Sequence, residues 1–159
     1  MTQERPSRLR LLAVLLGTAA IVAGVDHLTK WIVTSRIALD TQVPSSGAIT
    51  IHYVQNRGAA FSLFPDLQWL FLAVAVVVCG YILLAGHRFG GVWTQVLLGL
   101  VLGGAVSNAI DRAVQGYVVD FVDLHRWPVF NVADSCIVVG IVAAVLFVGR
   151  ERADTAKAT

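Results

Sequence analysis

The sequence predicts a mainly α membrane protein, four transmembrane helices with a small extracytoplasmic β-sheet, and three observations predict it. Hydrophobic residues make up 57% of the 159-residue chain and the mean hydropathy is +0.73. That is more apolar surface than a single domain of this length can hide from water. Four stretches approach the roughly 20 mainly apolar residues that a bilayer-crossing helix needs. Two connections between them are too long for simple linkers and carry short alternating patterns that read as strands. The length suits one integral membrane domain over 1–159. The formal charge of +2 is too small to suggest nucleic-acid binding.

The first span, about 11–34, is apolar throughout its first half. Arginines at 5, 8 and 10 precede it, as in a cleaved signal peptide, but apolar residues resume after Asp26 with Trp31, Ile32 and Val33, and three further spans follow. The second runs about 68–86 and the third about 92–112, rich in small residues that suit close helix packing. The fourth, about 132–149, follows an acid-bearing stretch, VVDFVDLHRWPVFNVAD at 118–134. Cys79 and Cys136 lie inside apolar runs and read as small hydrophobes.

Basic residues set the expected sidedness. Arg5, Arg8, Arg10, Arg88, Arg150, Arg152 and Lys157 fall on one side, which the positive-inside rule makes cytoplasmic. Tails 1–10 and 150–159 are therefore expected in the cytoplasm, and loops 35–67 and 113–131 outside. In the first loop, AITIHYV alternates Ile49, Ile51 and Tyr53 against Thr50, His52 and Val54. In the second, YVVDFV reads as another strand.

Polar residues inside such a chain need partners. Asp26 and Lys30 are four apart on one helix face, a spacing that suits a structural ion pair, although burial can also make a lysine catalytic. Asn108, Asp111 and Arg112 point one way from the third span, serving either helix packing or a substrate. Asn131 is a favoured helix N-cap, and Asp134 suits the positive end of the helix dipole. On a regular strand Asp120 and Asp123 face opposite sides, so at most one joins Asp134; Asp123 is expected to face water or pair with Arg126.

Other chemistries lack their signatures. His27, His52, His87 and His125 are scattered, with no metal-binding cluster, and Ser62, Ser107 and Ser135 have no convincing base. Two carboxylates held together share one proton, so one activates water while the other polarises a carbonyl. No metal or cofactor is required. A competing reading is a small ion- or proton-handling membrane protein, but such a path should distribute its acids through the membrane, whereas these gather in its outer half.

Five ordered motifs, DHLTK (26–30), NRGAAFS (56–62), GGAVSNAIDR (103–112), VVDF (118–121) and FNVAD (130–134), resemble the lipoprotein signal peptidases, the bacterial type II signal peptidases. The resemblance implies an intramembrane aspartyl endopeptidase of the bacterial cytoplasmic membrane. It would cut a diacylglyceryl-modified prolipoprotein before its lipidated cysteine, among membrane lipids, and work as a monomer. It implies Asp120 and Asp134 as the catalytic pair, and Asn56, Asn108, Arg112 and Asn131 as substrate-binding or dyad-positioning residues. Asp26, Lys30, Gly104, Asp111 and Phe130 are implied as supporting positions. The family fold it implies is four transmembrane helices with a small extracytoplasmic β-cradle and a short interfacial helix. One departure is the 14-residue spacing of Asp120 and Asp134, shorter than in many relatives, which trims the outer loop.

Overall fold

A computed structural model describes residues 6–58, 68–89 and 91–157, with the side chains of His87 and of 147–157 outside the description. Among these residues the order is α1 (Arg8–Arg36), β1 (Gln42–Val43), β2 (Thr50–Asn56), α2 (Gln68–Ala85), a 3-10 turn at Gly86–Arg88, α3 (Val92–Gln115), β3 (Val118–Asp123) and α4 (Val132–Lys157). Helices α1, α2 and α3 are each long and apolar enough to cross a bilayer. In α4 the described apolar stretch is Val132–Leu146.

Helix α1 shows how the sequence builds the bundle. Its buried residues are Leu11, Leu15, Ala19, Val22, Asp26, Lys30 and Val33, three or four apart and therefore on one stripe. Asp26 and Lys30 continue the stripe that Leu15 and Ala19 begin, so the ion pair points inward. The opposite face shows Ile21, Leu28 and Trp31 to the surroundings. Helix α2 is an extreme case: only Ile82 is buried, while Val76, Val77 and Leu84 are all exposed. Exposed apolar surface of that extent suits hydrocarbon as solvent.

Helix α3 is central and packs against α1, α2 and α4. Two adjacent glycines make this possible. A Cβ on Gly103 would lie 2.5 Å from the Ala19 carbonyl oxygen of α1, and one on Gly104 would lie 2.5 Å from the Ala133 carbonyl oxygen of α4. Any side chain at either position would push a neighbouring helix away. Gly116 then ends α3 in the left-handed region at φ 79°, its N–H bonded to the Arg112 carbonyl, and β3 starts two residues later.

The strands form one antiparallel sheet in the order β1-β2-β3 at the end of the bundle where α1 and α3 finish and α4 begins. Val33 of α1 packs with Tyr53, Val119 and Phe121 beneath it. Register pairs Thr50 with Asp123, Ile51 with Val122 and Val54 with Asp120, with a shift between Ile51 and Val54. At the far edge of β3, both the Phe121 and Val122 N–H groups donate to the Phe130 carbonyl. Two residues opposing one constitutes a β-bulge.

Several expectations need correction. The helices run beyond the expected spans, α1 over Arg8–Arg36, α3 to Gln115 and α4 to Lys157. Strand β2 covers 50–56 and gains β1 as a partner; Ile49 lies outside it and is exposed. Asp120 and Asp123 do not face opposite sides: the bulge breaks the alternation, and both line one cavity. Asp123 is buried and meets His52 and His125, not Arg126, which is exposed. Asp111 joins the Asp26–Lys30 pair through Lys30. The interfacial helix is not among the described residues, and Ser62 and the end of the NRGAAFS motif lie outside them.

Candidate active site

The start of α4 supplies the first candidate carboxylate. Asn131 caps the helix: its Oδ1 accepts the Asp134 N–H at 2.9 Å, and Asp134 Oδ2 accepts the Asn131 N–H at 3.2 Å. This reciprocal arrangement is a capping box, and it locks the Asp134 side chain against the helix end. Asp26 reaches across from α1 and accepts the Ala133 N–H at 2.8 Å. The unpaired amides of this buried helix end are thus met by two side chains chosen for the purpose.

The second carboxylate, Asp120, is 2% exposed on β3. Asn131 is fully buried and donates from Nδ2 to Asp120 Oδ1 at 2.7 Å. Asn56, the last residue of β2, donates to Asp120 Oδ2 at 2.8 Å and accepts the Gly58 N–H at 3.0 Å. Asn131 therefore holds the main chain of one acid through its oxygen and the carboxylate of the other through its nitrogen. Burial, and next the charge of Asp134, push the Asp120 carboxyl up to about 7 from its ordinary 3.8, against the pull of the Asn56 and Asn131 amides.

Asn108 of α3 joins this pair to the helices. Its Nδ2 donates to Asp134 Oδ1 at 2.8 Å, and its Oδ1 accepts both Asn131 at 3.1 Å and Lys30 Nζ at 2.9 Å. With two donors on its oxygen, the amide can present only its NH2 to Asp134. Lys30 in turn sits 2.5 Å from Asp26 and 2.7 Å from Asp111, and Asp26 accepts the Ser107 hydroxyl at 2.7 Å. Ser107, unremarkable as a nucleophile, is a buried partner of that ion pair. Its only sequence signal is its place beside Asn108 and one turn before Asp111.

Nearly every expected site residue meets in this network: Asp26, Lys30, Asn56, Asn108, Asp111, Asp120, Asn131 and Asp134. Gly104 acts through packing, by admitting Ala133 of α4. Phe130 acts through its main chain, which pairs with Val122 and creates the bulge. Arg112 stands apart. Its guanidinium lies 5.5 Å from the Phe71 ring centre, touches the Asn108 carbonyl at 3.4 Å, and leaves Nε buried without a partner. Among the described residues, no three or more His, Cys, Asp or Glu side chains are arranged to hold a metal ion.

Among the described residues, cavities reach the pair from three directions. A groove of about 250 Å³ between α2, α3 and α4 runs from Phe71 and Val78 to Arg112, Asn108 and Asp134. A second, of about 340 Å³, lies along α4 from Val138 to Asp134 under Trp127 and Phe130. Both are mainly apolar. The third, of about 360 Å³, opens on the sheet side and is lined by Asp120, Asn56, His52, Asp123 and His125 together with Trp127.

Residues 18–149 match the family model described as signal peptidase (SPase) II. A lipoprotein signal peptidase of Halothermothrix orenii is 38% identical over 133 residues, covering 82% of this chain and 92% of that protein. Others, from Streptococcus pyogenes and Syntrophomonas wolfei, are each 39% identical, covering 82% and 83% of this chain and 90% of each relative. Among solved structures, a bacterial membrane enzyme determined by the in meso method at 2.3 Å resolution superposes with a TM-score of 0.81 at 23% identity, covering 88% of this chain and 90% of that one. A second, at 1.9 Å resolution, gives 0.76 at 24% identity, covering 84% and 91%. At those identities the structural likeness speaks for the fold.

Proposed function

The chain belongs to the signal peptidase II family, and we propose that it is an intramembrane aspartyl endopeptidase that removes the signal peptides of lipidated prolipoproteins, with Asp120 and Asp134 as its catalytic pair. The observation that carries this reading is the environment of Asp120. It is buried, bonded only to the neutral amides of Asn56 and Asn131, repelled by Asp134, and raised to about 7, so it keeps a proton where an ordinary carboxyl has lost it.

The pair then works as one acid and one base. The ionised carboxylate takes a proton from a water as its oxygen attacks the scissile carbonyl carbon. The protonated carboxyl donates to the carbonyl oxygen, giving a neutral tetrahedral diol. Collapse breaks the C–N bond: the proton taken from water passes to the leaving amine, and one diol hydroxyl returns its proton to the carboxylate that had protonated the carbonyl, which restores the pair. No covalent enzyme intermediate forms. Asn108 and Asn131 hold the two carboxylates in place while charge moves between them. Arg112, with an unspent Nε–H in the groove beside Asp134, binds a substrate carbonyl.

The two apolar grooves that reach Asp134 offer surface for a signal helix and acyl chains. With Arg8, Arg10 and Arg88 at the other end of the bundle, the positive-inside rule places both termini in the cytoplasm and the pair at the outer face of the bacterial inner membrane. The chain acts as one integral membrane unit, monomeric, on a lipoprotein substrate. The test is cleavage of a lipidated precursor by the full chain in lipid nanodiscs, comparing wild type with Asp120→Asn and Asp134→Asn. Both variants should lose processing; retained processing in either removes the dyad assignment.

A further inference from the structure

The mechanism leaves one built feature unused: the cavity on the sheet side of Asp120, mixed in character and more polar than the two grooves. Its far wall is a cluster of three side chains. Asp123 is buried, its Oδ1 accepts the His125 N–H at 2.6 Å, and its Oδ2 lies 3.4 Å from His52 Nδ1 and 3.6 Å from His125 Nδ1. His125 Nε2 meets the Gly47 carbonyl at 2.6 Å and so ties the turn after β3 to the loop before β2. Directly opposite Asp123 in the ladder, and so on the same face, Thr50 buries a hydroxyl that has no partner. None of these residues touches the Lys30 network. The bulge at Phe121–Val122 is what turns Asp123 to the same side as Asp120.

We propose that this cavity receives the first residues that follow the lipidated cysteine, and that Asp123 makes it select basic or hydroxyl-bearing residues there over acidic ones. The inference rests on the lipoprotein-processing reading. A substrate whose scissile bond lies between Asp120 and Asp134 leaves the pair in two directions. The apolar grooves border Asp134 and suit the signal helix and acyl chains. The cavity bordering Asp120 carries Asn56, Asp123 and two imidazoles beside Val54, Trp127, Pro128 and Val129, and suits the chain that returns to water more than the grooves do. Its 360 Å³ falls within the roughly 300–1,000 Å³ of peptide- and ligand-sized pockets.

Charge supplies the selectivity. Among the described residues, Asp120 and Asp123 are the acids that line the cavity, and the nearby Arg57 and Arg126 are exposed and do not line it. An acidic substrate residue would enter a half-closed space beside a buried carboxylate, whereas a lysine ammonium or a serine hydroxyl would find acceptors.

The experiment uses the full chain in nanodiscs and three lipidated precursors that differ only in the two residues after the cysteine, carrying Lys, Ser or Glu. Wild type should process them in the order Lys, Ser, Glu, with Lys over Glu by roughly tenfold in kcat/KM, the size expected of one like-charge contact at a partly screened site. Raising the salt should narrow that ratio. Asp123→Asn keeps an oxygen for the His125 N–H and should bring the ratio close to one. The ratio is taken within each enzyme, so a smaller folded fraction cancels. Equal processing of the three precursors by wild type, a ratio indifferent to salt, or a ratio that survives Asp123→Asn overturns the proposal. Failure to cut any of the three points to the lipoprotein-processing reading instead.

Discussion

Two sets of buried carboxylates meet in one network, and they are held in opposite ways. Asp26 and Asp111 share the ammonium of Lys30 at 2.5 and 2.7 Å. Among the described residues, Asp120 and Asp134 receive hydrogen bonds only from amides, the side chains of Asn56, Asn131 and Asn108 and the main chain of Asn131. Two carboxylates that share one ammonium tie α1 to α3. A buried acid with neutral donors and another acid beside it holds its proton more tightly. In the proposed function this difference would divide scaffold from chemistry within a single hydrogen-bonded unit, and Asn108 bonds to both sets through Lys30 and Asp134.

The sharpest way to break this comparison is to neutralise each set in turn. Asp120→Asn or Asp134→Asn should lower the cleavage rate by at least about 10³-fold, the upper part of the range for positioned acids and bases. The melting temperature in detergent, read alongside cleavage, should show no comparable loss of fold. A variant that loses both equally would place these acids with the scaffold.

Removing the cation should do the reverse. Lys30→Ala leaves Asp26 buried without a counter-charge and Asp111 with only His27, 3.8 Å away, which costs about 3–5 kcal/mol. It should appear as a large drop in thermal stability, with lost activity following from it. Adding Asp111→Asn to that variant should restore part of the stability, since one of the two stranded charges is then gone.

Geometry comes next in size. Gly104→Ala places a methyl group 2.5 Å from the Ala133 oxygen and must move the start of α4, which carries Asp134. A displacement near 1 Å costs roughly 10²-fold in rate. The KM for the precursor should change less than kcat, because the grooves survive while the pair is misaligned.

The pH dependence is smaller and tests the cause directly. Because the folded Asp120 carboxyl is raised to about 7, the singly protonated pair is lost above that pH, and the rate should fall on the alkaline side of about 7. The same shift has a stability signature. A carboxyl with a raised folded pKa binds more protons when folded, so its contribution to stability declines between about 4 and 7 as the pH rises. Asp120→Asn lacks this decline, so its stability relative to wild type should grow across that window. A pH-independent difference between the two proteins would reject the raised carboxyl. Least of all, Phe71→Leu removes the ring beneath Arg112 and should cost about 0.5–1 kcal/mol, a change of a few-fold in kcat/KM.

Much of this site could be read in the chain before any coordinates. The spacing of Asp26 and Lys30 told that they pair, and the cap chemistry of Asn131 and Asp134 told where α4 starts. Local rules suffice there because the partners lie within one helical turn. Asp123 shows where they stop. A strict period of two puts it opposite Asp120, and only the doubled pairing of Phe121 and Val122 on Phe130 reverses that. Ser107 and Asn56 are similar: their partners, Asp26 and Asp120, are distant in sequence and belong to other elements.

The sequence by itself determined the solvent, since 57% hydrophobic residues in apolar runs leave no other home for them, and it determined which acids were available. Tertiary structure alone decided which of them are compensated. Whether a carboxylate meets an ammonium or an amide depends on how closely α3 approaches α1 and α4, and that distance is set by Gly103 and Gly104, which carry no charge at all. Packing brings Lys30 to Asp26 and Asp111 and stops it short of Asp120 and Asp134, and in a low-dielectric interior a few ångströms separate a salt bridge from an acid that keeps its proton.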